Sequence, residues 1–273
     1  MTVLEVLVPQ ATGTGKCRRV QAVQARSQTG GRRVVRSLGD QTVDELGGRW
    51  SILHRQKQDH VKLDRMLERL PDTSGLERDE LLNRICRLVF THAFAEEAVL
   101  WPALRRSLDD GEELTARVER EHQEITGLVA RLEQTPPDAP EMAGLIDQTV
   151  ALLRQDVRDE EDQLLPRLQE AVGDRTLRRL GVSWELVRRT APTRTHPIVS
   201  RRPPGQTLSA LPLSLADRLR DGLDHAARRL PLSARSVLVS ASGRIGAVAA
   251  WIEQLPPLRR GERPETRVRR EER

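Results

Sequence analysis

Two segments of this chain pair a possible metal ligand with a glutamate four residues later. His92 precedes Glu96 in HAFAEEAVLWPAL, and Asp156 precedes Glu160 in DVRDEEDQLLPRL. Both continue as E-E-x-x-L-x-P-x-L, so one is a repeat of the other with Asp where the first has His. Residues four apart share a helix face, so each pair can point at a single ion. At about 100° per residue, Leu81, Ile85, Val89, Val99 and Ala103 fall within roughly 60° of His92, which puts the pair on the stripe that faces a core. Asp156 and Glu160 keep similar company in Leu145, Thr149, Leu152, Leu153 and Leu164. His60 shares a stripe with Leu53, Leu63 and Leu67, and His122 with Val118, Ile125 and Val129. Carboxylates left unpaired in an apolar core cost several kcal/mol each. One or two cations held by three imidazoles and three carboxylates would compensate them. Mixed nitrogen and oxygen ligation suits iron first, then manganese or zinc.

The elements that must position these residues are helices. The chain has two Phe, four Trp and no Tyr, so strand-favouring types are scarce. Helical periodicity predicts segments over about 44–70, 76–108, 112–134 and 140–172, broken by PDTSG, DDG, TPPDAP and GD, with a fifth over about 175–189. Four long amphipathic helices with short connections predict an all-α up-down four-helix bundle. Each helix brings at least one candidate ligand to the bundle axis.

One His on the first helix, H-x3-E on the second, one His on the third and a fourth helix expected to carry H-x3-E: this pattern resembles the hemerythrin HHE cation-binding domain over roughly residues 44–190. The resemblance implies a four-helix bundle with a non-haem di-iron centre and two iron ions per chain. It carries the ligand role to His60, His92, Glu96, His122 and Glu160. It further implies a small exogenous ligand such as dioxygen, nitric oxide or peroxide, or a sensor of iron or redox state. At the sixth position the family has His and this chain has Asp156. Aspartate is the shorter side chain, so either its helix shifts inward or water bridges the gap. As a ligand it adds an anion, which favours the ferric state and works against reversible oxygen carriage. A lost ligand would instead leave one metal with an open position for substrate. Two other readings stand beside this one: a metal-poor scaffold or regulator acting through basic C-terminal helices, and a peroxide-dismutating enzyme.

The remaining chain is organised by charge. Residues 1–43 carry +5, residues 44–190 carry −8 and residues 191–273 carry +8. The expected layout is an unfolded basic extension over 1–43, the bundle over 44–190, a Pro-rich linker over 191–213, two amphipathic helices over 214–256 and a charged tail over 257–273. TGTGKC lacks the first Gly and the Ser/Thr of a phosphate loop. Cys17 and Cys86 are too far apart in sequence for a thiolate zinc motif, which fits a reducing cytoplasm. No segment is apolar enough to span a bilayer, and the N-terminal sequence lacks signal-peptide character. The basic arms lack the aromatic interleaving of nucleic-acid binders, so contact with nucleic acid or anionic membrane is not favoured over loosely paired solvated tails. Glu97, Glu161 and Asp162 read as surface charge, Asp64 and Glu121 as ambiguous neighbours of the site, and His196 and His225 as outside it.

Overall fold

The computed structural model describes residues 36–136 and 139–262, and all of its regular structure is helical. Helix α1 is Ile52–Arg69. Helix α2, Gly75–Ala95, runs through a π-helical turn at Glu96–Leu100 into α3, Trp101–Ser107. Helix α4 is Gly111–Gln134. Helix α5, Met142–Asp159, runs through a second π turn at Glu160–Leu164 into α6, Leu165–Ala171. These four rods form the expected bundle. The short α7, Asp174–Thr190, packs on α1 and α2, and a hairpin of α8, Gly205–Ala227, and α9, Leu232–Glu253, follows.

The two π turns have a sequence cause. Pro102 and Pro166 lack an N–H, and their rings crowd the carbonyl four residues back, so an ordinary helix cannot pass through them undisturbed. The chain widens by one residue: the N–H of Trp101 donates to Glu96 O and that of Leu165 to Glu160 O. Such bulges often mark functional sites, and each here begins on the glutamate of a ligand pair.

Two apolar layers bracket that level. Leu53, Leu100, Trp101, Val118, Leu164 and Trp184 belong to one, and Leu63, Ile85, Leu88, Ile125, Val129 and Leu153 to the other. His60 thus lies between Leu53 and Leu63, His122 between Val118 and Ile125, and Asp156 between Leu153 and Leu164. Gly181 lets α7 approach this region: a Cβ there would lie 2.1 Å from Trp50 O. The close approach brings the Trp184 ring edge-on to His92, with centroids 5.6 Å apart.

The structure differs from the sequence expectation at both ends of the bundle. Of the basic extension, residues 1–35 lie outside the described residues, TGTGKC among them, but residues 36–43 are ordered and Leu38 is fully buried. The first helix starts at Ile52 instead of 44, because Ser51 caps it and accepts from Leu53 N. The first C-terminal helix starts at Gly205, inside the segment read as linker, and carries Pro212 within it. Gly205 makes that start possible, since its bare Cα sits against the carbonyls of Leu258 and Arg260. Residues 256–259 of the predicted boundary between helix and tail form a 3-10 turn, and Leu258 is buried. No helix among the described residues is long and apolar enough to cross a membrane.

Candidate metal centre

All six candidate residues meet at the level of the π turns. His60, His92, Glu96 and Glu160 bring one ligand atom each within 4.8 Å of one another, and His122, Asp156 and Glu160 do the same, so Glu160 is shared by the two groups. His60 Nε2 lies 3.3 Å from His92 Nε2 and 3.3 Å from Glu160 Oε2; His92 Nε2 lies 3.1 Å from Glu96 Oε1. Donor atoms bonded at about 2.1 Å to one ion are separated by roughly 3.0–3.4 Å, so this first group has the spacing of a coordination shell. The second is looser: His122 Nε2 is 3.6 Å from Glu96 Oε2, 3.8 Å from Asp156 Oδ1 and 3.9 Å from Glu160 Oε1.

A bare cluster of this kind is electrostatically expensive. Glu96 and Glu160 are at most 1% exposed, and both oxygens of Glu96, Asp156 Oδ1 and Glu160 Oε1 have no hydrogen-bond donor. Buried polar atoms are normally paired, and a charged one without a partner calls for a cation. Protons can supply part of that charge. Burial alone would lower the His122 pKa, but Asp156 and then Glu97 raise it to about 10. Burial likewise opposes protonation of His60, which hydrogen bonds to Glu160 and Glu161 raise to about 9. Burial and the Glu160 charge push Asp156 up to about 6, and burial and Glu96 raise Glu160. A metal ion would compete with these protons for the same Nε2 lone pairs. The donor set, the spacing and the donorless oxygens all fit a metal.

Each imidazole is oriented from behind. His60 Nδ1 donates to Glu161 at 2.8 Å, His122 Nδ1 to Glu97 at 3.0 Å and His92 Nδ1 to Asp59 at 3.4 Å. A carboxylate on Nδ1 fixes the tautomer and leaves the Nε2 lone pair facing inward. Here the reading of Glu97 and Glu161 as surface charge is corrected. Glu97 is 4% exposed, and Glu161 reaches into the site. On a regular helix Glu97 would point about 100° away from Glu96; here it lies in the π turn and is buried against His122 of α4 and Gln206 of α8. The signal was present in the doubled acids and in the proline that follows them. Asp64 proves to be an exposed edge residue facing Arg154 at 3.6 Å, and Glu121 belongs to neither group of converging ligand atoms.

A helical bundle with a buried histidine and carboxylate cluster between two apolar layers has the make-up of a cation-binding bundle. Residues 51–168, somewhat under half of the chain, match the model of the hemerythrin HHE cation binding domain, so that segment is hemerythrin-like. It is 23% identical over 134 residues to an uncharacterized hemerythrin-like protein of Schizosaccharomyces pombe, covering 49% of this chain and 66% of that one. It is also 26% identical over 114 residues to a DNA nickase of a Nostoc species, covering 41% of this chain and 32% of that one. The chain thus spans just under two thirds of the first relative and about a third of the second. No solved structure matches it.

Proposed function

We propose that this protein holds two iron ions and binds a small exogenous ligand such as dioxygen, nitric oxide or peroxide at them. His60, His92, Glu96 and Glu160 would hold one ion, and His122, Asp156 and Glu160 the other. The observation that carries the reading is the set of buried carboxylate oxygens without donors, grouped with imidazole nitrogens whose other ring nitrogen is already taken. Iron is preferred over manganese or zinc because the donors mix imidazole with carboxylate and include no thiolate. Bound iron would supply redox chemistry and coordination of the small ligand. The second group offers fewer protein donors, so the exogenous ligand is expected on that side.

A cavity of about 90 Å³ adjoins it, lined by His92, His122 and Asp156 among polar residues and by Phe90, Phe94 and Leu153 among apolar ones. At about 30 Å³ per water, that space admits a ligand of a few atoms. The nickase activity named for one relative is not carried over, since the shared segment is a third of that protein.

Metal analysis after anaerobic reconstitution with ferrous iron tests the proposal. Two ions per chain, with an absorption change on adding nitric oxide or dioxygen, is the expected result. A chain that retains no stoichiometric metal after desalting would overturn it. Peroxide turnover by the loaded protein then separates an enzyme from a binding protein.

A further inference from the structure

The segment that follows the bundle folds back onto the second half of the site. Arg201 enters from it with its side chain 13% exposed. Its Nη1 donates to Glu97 Oε1 at 2.6 Å, the same oxygen that receives His122 Nδ1. Its Nη2 donates to Gln123 Oε1 at 2.7 Å, to Thr126 Oγ1 at 3.0 Å and to His122 O at 3.4 Å. One guanidinium therefore holds the turn of α4 that bears His122 through main chain and side chains at once, and holds the carboxylate that orients the imidazole. Gln206, at the start of α8, adds a donor to Phe94 O at 3.2 Å and to Glu97 Oε2 at 3.4 Å. The backbone N–H of Arg201 is in turn tied to Glu262 at 2.6 Å, so the start of the C-terminal segment and the residues after α9 converge here.

We propose that residues 192–262 form an intrachain cap, and that Arg201 is a positioning residue which keeps His122 Nε2 aimed at the second metal position by clamping Glu97 against His122 Nδ1. This rests on the two-metal reading above. Without Arg201, Glu97 would be a buried carboxylate held by His122 and, at longer range, by Gln206, freer to rotate, and His122 would be held less firmly in its orientation. Arginine suits the task because its planar fork serves several acceptors at once, which a lysine ammonium at the end of a flexible chain does not.

The neighbouring Arg202 supplies an internal control. It also joins the cap to α4, through Glu119 at 2.7 Å and Glu112 at 2.6 Å, but neither carboxylate touches a candidate ligand. The His60 side differs again: Glu161 orients that imidazole, and the cap contributes no donor to it among the hydrogen bonds of the described residues.

The test uses the full chain loaded with ferrous iron, extracted by a chelator, with helical content and melting temperature of the metal-free chain followed in parallel. In Arg201→Ala, one of the two ions should be lost about 10- to 100-fold faster than in the wild type and the other at the wild-type rate. Arg201→Lys, which keeps the charge and loses the fork, should fall between. Arg202→Ala should lower the melting temperature yet leave both extraction rates unchanged. Wild-type rates in Arg201→Ala would overturn the proposal, as would an equal acceleration in Arg202→Ala, which would reduce the cap to a prop. Should Arg201→Ala not fold, Arg201→Lys decides, and wild-type extraction there overturns the proposal. A wild-type chain that takes up no metal sinks the two-metal reading and this inference together, whereas a loaded wild type with an indifferent Arg201→Ala sinks this inference alone.

Discussion

The described residues contain two buried clusters of imidazole and carboxylate, and they are built differently. In the bundle, each of three histidines spends Nδ1 on one carboxylate and leaves Nε2 to the interior, His60 and His92 in one group and His122 in the other. In the C-terminal hairpin, His196 spends both nitrogens: Nδ1 meets Glu253 of α9 at 2.9 Å, and Nε2 meets Asp217 of α8 at 3.0 Å. Asp217 Oδ2 also accepts the backbone N–H groups of Thr193 and Arg194 at 2.8 and 2.9 Å. The hairpin cluster is a protonic staple that satisfies itself, apart from Asp217 Oδ1. The bundle cluster is satisfied on its outside and open on its inside. Burial of charge is common to both, so burial alone does not indicate a metal; the distribution of unpaired atoms does.

The largest test of that contrast removes one carboxylate from each cluster. Glu160 serves both groups, so Glu160→Ala is expected to abolish uptake of both metal ions, read by metal analysis. The same substitution should leave the metal-free chain as stable as the wild type or more so, because it deletes a buried charge that Glu96 already repels. Asp217→Ala should do the reverse, keeping the metal and costing about 3 kcal/mol in denaturant unfolding, since it takes one of two carboxylates from a buried imidazolium and the acceptor from two backbone N–H groups. Equal destabilisation by the two would erase the distinction.

Asp156 sharpens the comparison within the bundle. Its Oδ1 carries no donor and lies 3.8 Å from His122 Nε2, so the shorter side chain does reach the cluster, at the looser of the two groups. Asp156→Ala is expected to reduce the metal content from two ions to one, and Asp156→His to preserve or raise it. An alanine variant with unchanged stoichiometry would remove Asp156 from the ligand set.

The bundle and the convergence of its six ligand candidates could be read from the sequence because both depend on regular helical period. His60, with Leu53 and Leu63 about two and one turns away, could occupy only the core face. Residues that depend on a break in that period were misread. Glu97 and Glu161 lie one position past the core stripe of an ideal helix, inside the π turns that span Glu96–Leu100 and Glu160–Leu164, and each meets a histidine of another helix. Arg201 and His196 could not be found by period at all. They lie in an irregular segment, and their partners are 104 residues away at Glu97 and 57 residues away at Glu253. Such contacts exist only once tertiary packing has laid the segment around Arg201 on α4 and folded α8 and α9 around His196.

The staple also predicts a pH dependence that the bundle cluster, with metal bound, does not share. Burial would lower the His196 pKa, but hydrogen bonds to Asp217 and Glu253 raise it to about 9 from 6.5. A raised pKa means that its contribution is fully present below pH 6.5 and is lost as pH rises through about 9. At about 1.4 kcal/mol per unit, that contribution is about 3 kcal/mol. The stability difference between wild type and His196→Gln in the metal-loaded protein should therefore be largest below pH 6.5 and fade above pH 9. A difference that does not change with pH would mean that His196 is neutral in the folded chain.

The smallest effect concerns Glu161, and it separates orientation of an imidazole from ligation by it. Glu161 and Glu97 occupy equivalent places in the two repeats, each on the Nδ1 of a histidine from a neighbouring helix. Their surroundings differ: the Glu97 side chain is 4% exposed and clamped by Arg201, while that of Glu161 is 15% exposed. The more open carboxylate is less constrained and partly solvated, so deleting it disturbs its partner less. Glu161→Gln retains an acceptor for His60 Nδ1 and should weaken the first ion by less than about 10-fold; Glu161→Ala removes it and should weaken that ion by about 10-fold, the lower end of the range for outer partners of metal ligands. Glu97→Ala should cost the second ion more, toward about 100-fold, because it also strands Arg201. If competition with a chelator gave Glu161 the larger effect, exposure would not be what sets the strength of these supports, and the ranking of the two halves would invert.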